Sequence, residues 1–401
     1  MLVIIATHPI QYQVPIWKEL AKRLDVKFEV WYLTSHGIRP TVDIQFGKKI
    51  KWDIDLLDGY TYKFSDSHCP IQLTDFWSAK LPNDFKTRLK SDEISHIFLT
   101  GWNVRAFIEV VFIAWRNQKK IWLRAESNDL KKSPFIKKLV KSLLLKIFFL
   151  NVDKFLTIGK ANKRLYENFG IKSENLYSAP YCIENNRFEL QANLNNANRQ
   201  SLRNFWNINK DSICILFVGK FIAKKNPLDI IKAIKILNEN NPSKEFHILF
   251  VGSGELEFER KKNTNIIFDY EQTGELNQKK LLPRASFAGF LNQSKVSEAY
   301  SASDLLVLPS DADETWGLVV NEAMASGLPC VVSDACGSSE DLIEIIDPLL
   351  RYPCGDIYSL ANSIKHACKH PPSKKQLKKI IDNYDFIHTV DAIEKLWQLS
   401  K

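Results

Sequence analysis

Apolar and polar positions alternate along the chain in two successive series of short apolar runs separated by amphipathic stretches. In the first half, 2–7, 26–33, 96–101, 120–125 and 154–159 read as strands, and 14–24, 104–118, 135–150 and 160–169 carry apolar residues at helical spacing. Residues 184–200 turn polar and Asn-rich, without Gly or Pro, and read as a connector with a helical part. A second series follows, with strand-like runs at 213–219, 246–252, 285–290, 304–310 and 328–333. Strands alternating with helices build parallel, doubly wound sheets. The expectation is therefore an α/β chain with a Rossmann-like domain at 1–185, a connector at 186–210, a second Rossmann-like domain at 211–373 and a helical tail at 374–401. Its 401 residues leave room for two domains of about 200 each.

Composition excludes several function classes. The seven cysteines are scattered, odd in number and without CxxC spacing, which argues for a reducing cytosol and against a disulfide scaffold or a zinc site. The eight histidines form no HExxH or HxH pair, so no metal is expected. No apolar run approaches the roughly 20 residues needed to cross a bilayer, and the opening MLVIIA is too short for a signal segment. A cytoplasmic protein is expected. The net charge of +9 is uneven, since residues 1–180 hold 29 Lys and Arg against 18 Asp and Glu. Much of this excess lies in 131–164, where Lys131, Lys132, Lys137, Lys138, Lys141 and Lys146 are interleaved with apolar residues. At helical spacing that is a basic amphipathic segment. Two readings stand open: it rests on an anionic membrane face, or it packs its apolar stripe into the first core.

The chemistry concentrates between 304 and 342. A strand at 304–310, a loop, a helix at 317–326 closed by Gly327 and a strand at 328–333 form one unit, with Glu314 just before the helix and Glu322 inside it. Loops that follow strands of a parallel sheet open at the carboxyl edge, where ligands bind. Carboxylates there accept bonds from sugar or ribose hydroxyls, and the amides of Trp316, Gly317 and Leu318 can hold phosphate or hydroxyl oxygens. Upstream, VGKFIAKKNP (218–227) places Lys220 and Lys225 after a Gly-terminated strand, and Gly252 and Gly254 close the next. A preorganised ammonium at such a place stabilises a departing phosphate.

Pro309, Ser310, Glu314, Gly317, Glu322, Ala323, Met324, Ala325, Gly327, Pro329, Gly337 and Glu340 follow one another as in the signature of the retaining, family-4 nucleotide-sugar glycosyltransferases of the GT-B fold. The chain resembles that family over nearly its whole length, most strongly from 218 to 342. The resemblance implies two Rossmann-like domains facing each other across a cleft, with a C-terminal helix crossing back to the first. It implies transfer of a sugar from a nucleotide-diphosphate donor to a glycan or lipid-linked acceptor in cell-envelope polysaccharide synthesis, without metal or cofactor. Lys225 matches the family's diphosphate-holding lysine, Lys220 stands for its arginine, and Asn226 replaces its second glycine. Glu314 then positions the sugar hydroxyls and Glu322 the ribose, while 287–293, with Phe290, matches the base-binding neighbourhood.

In the first half, 7–15 lacks the Gly-rich loop of many relatives, which leaves His8 and Gln11 to act through their side chains. Trp102, Arg124, Glu126 and Asn128 lie at strand ends and complete the acceptor-side candidates. Asp53–Asp55 and Asp311–Asp313 spell DxD, a metal–diphosphate motif of another glycosyltransferase fold, and read here as turns. The alternatives are a sugar-nucleotide epimerase or glycogen-type synthase on the same fold, and a non-catalytic basic protein that binds membrane or nucleic acid. No recognised nucleic-acid motif accompanies the charge, so nucleic acid is not expected as a partner.

Overall fold

The structure, a computed structural model, describes residues 1–23, 25–38, 41–43, 48–65, 75–130, 135–240, 243–271 and 281–400, the side chains of 41–43, 48–50 and 135–140 excepted. The chain divides into two units. Unit 1 comprises Met1–Thr41, Asp55–Tyr181 and Asp385–Lys401, and unit 2 comprises Val42–Ile54 and Cys182–Tyr384.

The first half contributes strands β1 (Leu2–Ala6), β2 (Phe28–Tyr32), β3 (Thr41–Asp43), β4 (Lys48–Ile50), β5 (Tyr62–Phe64), β6 (His96–Leu99), β7 (Lys120–Leu123), β8 (Lys154–Thr157) and β9 (Leu176–Ser178). Its helices are α1 (Val14–Lys22), α2 (Asn83–Arg88), α3 (Arg105–Arg116), α4 (Phe135–Phe149) and α5 (Lys160–Asn168). Seven strands pair in parallel in the order β5-β2-β1-β6-β7-β8-β9, while β3 and β4 form a separate pair. All five residues of β1 are buried, as a central strand covered by helices on both faces requires.

The second half begins with α6 (Asn185–Asn196) and α7 (Arg199–Phe205). Strands β10 (Ile213–Val218), β11 (Phe246–Val251), β12 (Asn265–Asp269), β13 (Arg284–Gly289), β14 (Leu305–Leu308), β15 (Cys330–Ser333) and β16 (Arg351–Tyr352) then form a parallel sheet in the order β12-β13-β11-β10-β14-β15-β16. The remaining helices are α8 (Pro227–Asn240), α9 (Glu257–Lys262), α10 (Val296–Ala302), α11 (Val319–Ala325), α12 (Ile357–Lys369), α13 (Lys374–Ile381) and α14 (Phe386–Gln398).

Two of the expected boundaries move. The stretch read as a connector is two helices of unit 2: α6 packs on α10 and α11, and Arg199 and Arg203 of α7 bind the Asp304 carboxylate at 2.7 and 3.2 Å. The return to unit 1 starts at Asp385 rather than 374, because α13 packs on α11 inside unit 2. Only α14 returns. It packs on α1, where Arg23 meets Asp391 and Glu394 at 3.3 and 3.2 Å. Residues 42–54 also belong to unit 2: Asn292 donates to the Lys51 carbonyl at 2.7 Å, and the Ser294 amide donates to Asp53 at 3.2 Å.

Candidate active site

In unit 2 the strand order reverses at β10, whose neighbours are β11 on one side and β14 on the other. Loops leaving such a pair diverge and open a crevice at the carboxyl edge. The two loops here are 219–226, after β10, and 309–318, after β14. They are stitched together by the Asp311 amide donating to the Lys224 carbonyl (2.8 Å) and the Asn226 side-chain amide donating to the Pro309 carbonyl (3.1 Å). Between them the Lys225 ammonium pairs with the Glu314 carboxylate. Both side chains are about 85% withdrawn from solvent, being 14% and 15% exposed. A pair so placed gains little net stability, because desolvation cancels most of the attraction. Its fitness is chemical: an ammonium has three donors, and the bond to Glu314 uses one.

Asn226 has φ 45° and ψ 41°, the left-handed region. The family's glycine at this position suits that backbone, and Asn is among the few other residues that adopt it readily. Gly252, read as a means of approaching phosphate, has a second reason to lack a side chain. A Cβ there would lie 2.0 Å from the Gly219 carbonyl oxygen, so the ends of β10 and β11 close together only through glycine. Gly254 follows in the same turn, with φ +150°. Gly317 is also obligatory, since its φ is +92° and a Cβ would meet the Leu308 side chain at 2.4 Å.

The helix after Glu314 begins at Val319 rather than Gly317 and has seven residues. Trp316, Gly317 and Leu318 therefore lie in the approach to it. The Trp316 side chain turns inward, donates Nε1 to Asn321 Oδ1 at 2.8 Å and packs on Tyr384. Its side chain is structural, and its carbonyl accepts from the Ser338 amide at 3.2 Å. Lys220 stands half-buried at the start of the first loop. Phe290 lies just past β13, its ring 6.2 Å from that of Trp52. Both DxD sequences bond within the chain: Asp311 accepts from the Asp313 amide in a turn at 2.8 Å, Asp53 from the distant Ser294 amide, and Asp55 from the amides of Leu57 and Asp58. Among the described residues no cluster of His, Cys, Asp or Glu is arranged to hold a metal ion.

Glu322 is mostly buried, and its Oε2 accepts from the Tyr300 hydroxyl at 2.6 Å. Burial pushes its carboxyl up, against the opposing pull of Tyr300, the Arg187 charge and the Gln293 amide. Gln293 fell within the stretch singled out in the sequence, but Tyr300 and Arg187 carried no sequence signal because only the fold brings them near Glu322.

Unit 1 uses its candidates differently. Arg124 is buried and donates to the carbonyls of Ala179 and Pro180 at 3.1 and 2.9 Å, so its guanidinium fixes the chain ahead of Tyr181. Glu126 accepts from Gln13 at 3.0 Å and Tyr12 at 3.3 Å. Neither Gln13 nor Tyr12 stood out in the sequence. Asn128 closes a turn by accepting from the Leu130 amide. Trp102 packs edge-on against Phe149 and joins the core. His8 bonds Thr7 at 3.0 Å beside the His36 ring, and burial, with His36 adding to it, pushes its pKa down to about 4. Gln11 sits half-buried in the same loop.

Residues 198–384 match the family model described as Glycosyl transferases group 1. Among named proteins, the chain is similar to the Escherichia coli UDP-Gal:alpha-D-GlcNAc-diphosphoundecaprenol alpha-1,3-galactosyltransferase, 29% identical over 47% of this chain and 46% of that protein. It is also similar to a mannosylfructose-phosphate synthase of Agrobacterium fabrum, 27% identical over 42% of this chain and 35% of that one. The chain thus matches less than half the length of these relatives. Solved structures align along almost the whole chain. The lipopolysaccharide outer core galactosyltransferase WaaB has a TM-score of 0.62 at 14% identity, covering 99% of this chain and 100% of its own. Anabaena HepE in complex with UDP and glucose has a TM-score of 0.63 at 13% identity, covering 99% of each chain. The fold is GT-B.

Proposed function

We propose that this chain, whose residues 198–384 match the glycosyl transferases group 1 model, is a retaining glycosyltransferase acting on a glycan or lipid-linked acceptor in cell-envelope polysaccharide synthesis. The observation that carries the reading is the Lys225–Glu314 pair between the stitched loops at the carboxyl ends of β10 and β14. The bond from the donor's anomeric carbon to the diphosphate oxygen breaks, and its electron pair goes to phosphate. The acceptor hydroxyl oxygen bonds to the same face of that carbon and gives its proton to the departing phosphate. Lys225, with Lys220 of the same loop, neutralises the charge that grows on phosphate. Glu314 orients the sugar hydroxyls, and Glu322 the ribose. Cations and backbone amides do this work, so the reading includes no metal and no cofactor. Gly252 and Gly254 keep the neighbouring turn open, and Phe290 stands by the base. On the acceptor side the reading retains His8, Gln11 and Glu126. The epimerase, glycogen-type synthase and non-catalytic alternatives are not favoured by the relatives, which include named glycosyltransferases.

A thermal-shift screen of UDP, GDP and ADP and their sugars tests this. The correct nucleotide at 100 times its dissociation constant adds about 2.7 kcal/mol of stability. If none of them raises the melting temperature, the reading fails.

The same reading places the protein in the cytoplasm, with α4 against an anionic membrane face. Among the described residues no helix is long and apolar enough to cross a membrane. On α4, Leu143, Leu144 and Ile147, with Leu150 just past its end, are 54–78% exposed, beside exposed Lys141 and Lys146, while Phe148 and Phe149 enter the core. Ile108, Phe112 and Trp115 form a second exposed stripe on α3. Lys131, Lys132 and the side chains of Lys137 and Lys138 lie outside the described residues. Each lysine at an anionic surface contributes on the order of 1 kcal/mol, and salt screens it. Co-sedimentation with vesicles containing anionic lipid is therefore expected at low salt and lost at high salt. Equal binding by a Lys141→Gln, Lys146→Gln variant would remove the basis for this role.

A further inference from the structure

Glu322 lies at the centre of a polar relay contributed by three other segments of unit 2. Tyr300, on α10 and 1% exposed, has no access to water, and its hydroxyl donates to Glu322 Oε2 at 2.6 Å. Gln293, in the loop after β13, is held from the opposite end. Arg187, on α6, donates Nη1 to the Gln293 carbonyl at 2.9 Å and Nη2 to Gln293 Oε1 at 2.6 Å. That double contact fixes which way the Gln293 amide faces. Its oxygen is committed to the guanidinium, so its N–H₂ is the end presented to Glu322, and a flip would set two donors against Arg187. Arg187 is itself steadied, with its guanidinium 4.4 Å from the centre of the Phe188 ring and Nε 3.3 Å from Glu184. Only one Glu322 oxygen is engaged by Tyr300, and a carboxylate accepts more bonds than the relay supplies.

We propose that Tyr300 and Gln293, the latter locked by Arg187, are positioning residues of the donor site that hold Glu322 in one orientation toward the ribose hydroxyls of the nucleotide. This rests on the glycosyltransferase reading above and adds to it a set of residues that act through Glu322. A second consequence concerns charge. Burial favours the neutral acid, and the groups facing Glu322 are Tyr300, Gln293 and Arg187, all of which favour the carboxylate. Without the Tyr300 hydroxyl the pKa of Glu322 climbs further above the ordinary carboxyl range. The fraction present as carboxylate then falls as the solution becomes more acidic. Nucleotide affinity should acquire a pH dependence in such a variant, tightening as pH rises.

The test is calorimetric titration of the full chain with UDP, GDP and ADP between pH 6 and 8.5. Wild type, Tyr300→Phe, Glu322→Gln and the double variant are compared, with Gln293→Met as a second disruption of the relay should Tyr300→Phe fail to fold. Tyr300→Phe is expected to bind about tenfold more weakly at pH 6, as loss of a hydrogen bond to a charged group implies, and to recover toward pH 8.5. Glu322→Gln binds weakly at every pH, and the double variant binds no more weakly than Glu322→Gln alone. Affinity of Tyr300→Phe equal to wild type across the range would overturn the proposal. So would an undiminished additional loss in the Glu322→Gln background, which would mean that Tyr300 acts through packing. If wild type binds none of the three nucleotides, the reading of the site fails and takes this inference with it. If wild type binds and the relay variants match it, this inference alone fails.

Discussion

The carboxyl edges of the two sheets share a topology and use polar residues in opposite ways. In unit 1 two of the polar side chains at strand ends are absorbed by the scaffold: Arg124 holds two backbone carbonyls, and Asn128 closes a turn. In unit 2 the loops after β10 and β14 are held by backbone and Asn226, which leaves Lys225 and Glu314 to each other. A guanidinium satisfied by buried carbonyls is structural. An ion pair withdrawn from water at a strand switch point contributes little stability, and the proposed function gives it a charged ligand to bind. The same residue types therefore carry different meanings, and the partners decide which.

Substitutions can break this contrast. The largest effect is expected at Lys225: Lys225→Ala should lower kcat by roughly 10²-fold or more, as loss of a charge-stabilising donor does. Steady-state kinetics with turnover unchanged would remove Lys225 from the chemistry. Next comes Arg124→Met, which removes the guanidinium from the Ala179 carbonyl and leaves the Pro180 carbonyl with only the Thr389 hydroxyl, and should cost about 1–3 kcal/mol in denaturant unfolding. A loss below about 0.5 kcal/mol would return Arg124 to the acceptor-side candidates.

His8 gives an effect of similar size with a definite sign. Its pKa is depressed to about 4 in the folded chain by burial, with His36 adding to it, so the unfolded chain binds the extra proton below the ordinary value. The resulting contribution, about 1–3 kcal/mol, is present above pH ~6.5 and lost as pH falls toward ~4. His8→Gln should flatten that part of the stability–pH curve. A curve as steep as that of wild type would contradict the burial argument. The smallest effect is at Asn226. Both Gly and Ala lose the bond to Pro309, so Gly should cost about 0.5–1 kcal/mol, whereas Ala, strained at φ 45° as well, should cost about 1–2 kcal/mol. Equal effects of Gly and Ala would show that the left-handed backbone is not the constraint.

The sequence disclosed what is buried on both sides. Strands β1, β2, β6, β7, β8, β10, β11, β13, β14 and β15 each stood out as an apolar run and lie in the interior of a sheet. β5, β9, β12 and β16 did not stand out, and they are the four edges of the two seven-stranded sheets. An edge strand has one paired side and needs no continuous apolar run. β16 has two residues and β5 and β9 have three. The polar Asn-rich stretch read as a connector for a related reason: α6 buries only Asn185, Phe188 and Ala192, too few to give a clear helical stripe. At the site, Lys225 and Glu314 drew attention through the resemblance of their motifs to the family signature, and Gly252 and Gly317 have their reason in turns that a side chain would clash with. The hydrogen-bond partners were not legible. Tyr300 reaches Glu322 across 22 positions, and Gln13 reaches Glu126 across 113, separations that only the fold closes.

The central claim, that the loops after β10 and β14 form the nucleotide site, is tested most directly by amide hydrogen exchange of the full chain with and without saturating UDP, GDP or ADP. The account predicts that the nucleotide that binds slows exchange in 219–226 and 309–322. Slowing confined to unit 1, with these loops unchanged by a nucleotide that demonstrably binds, would contradict it.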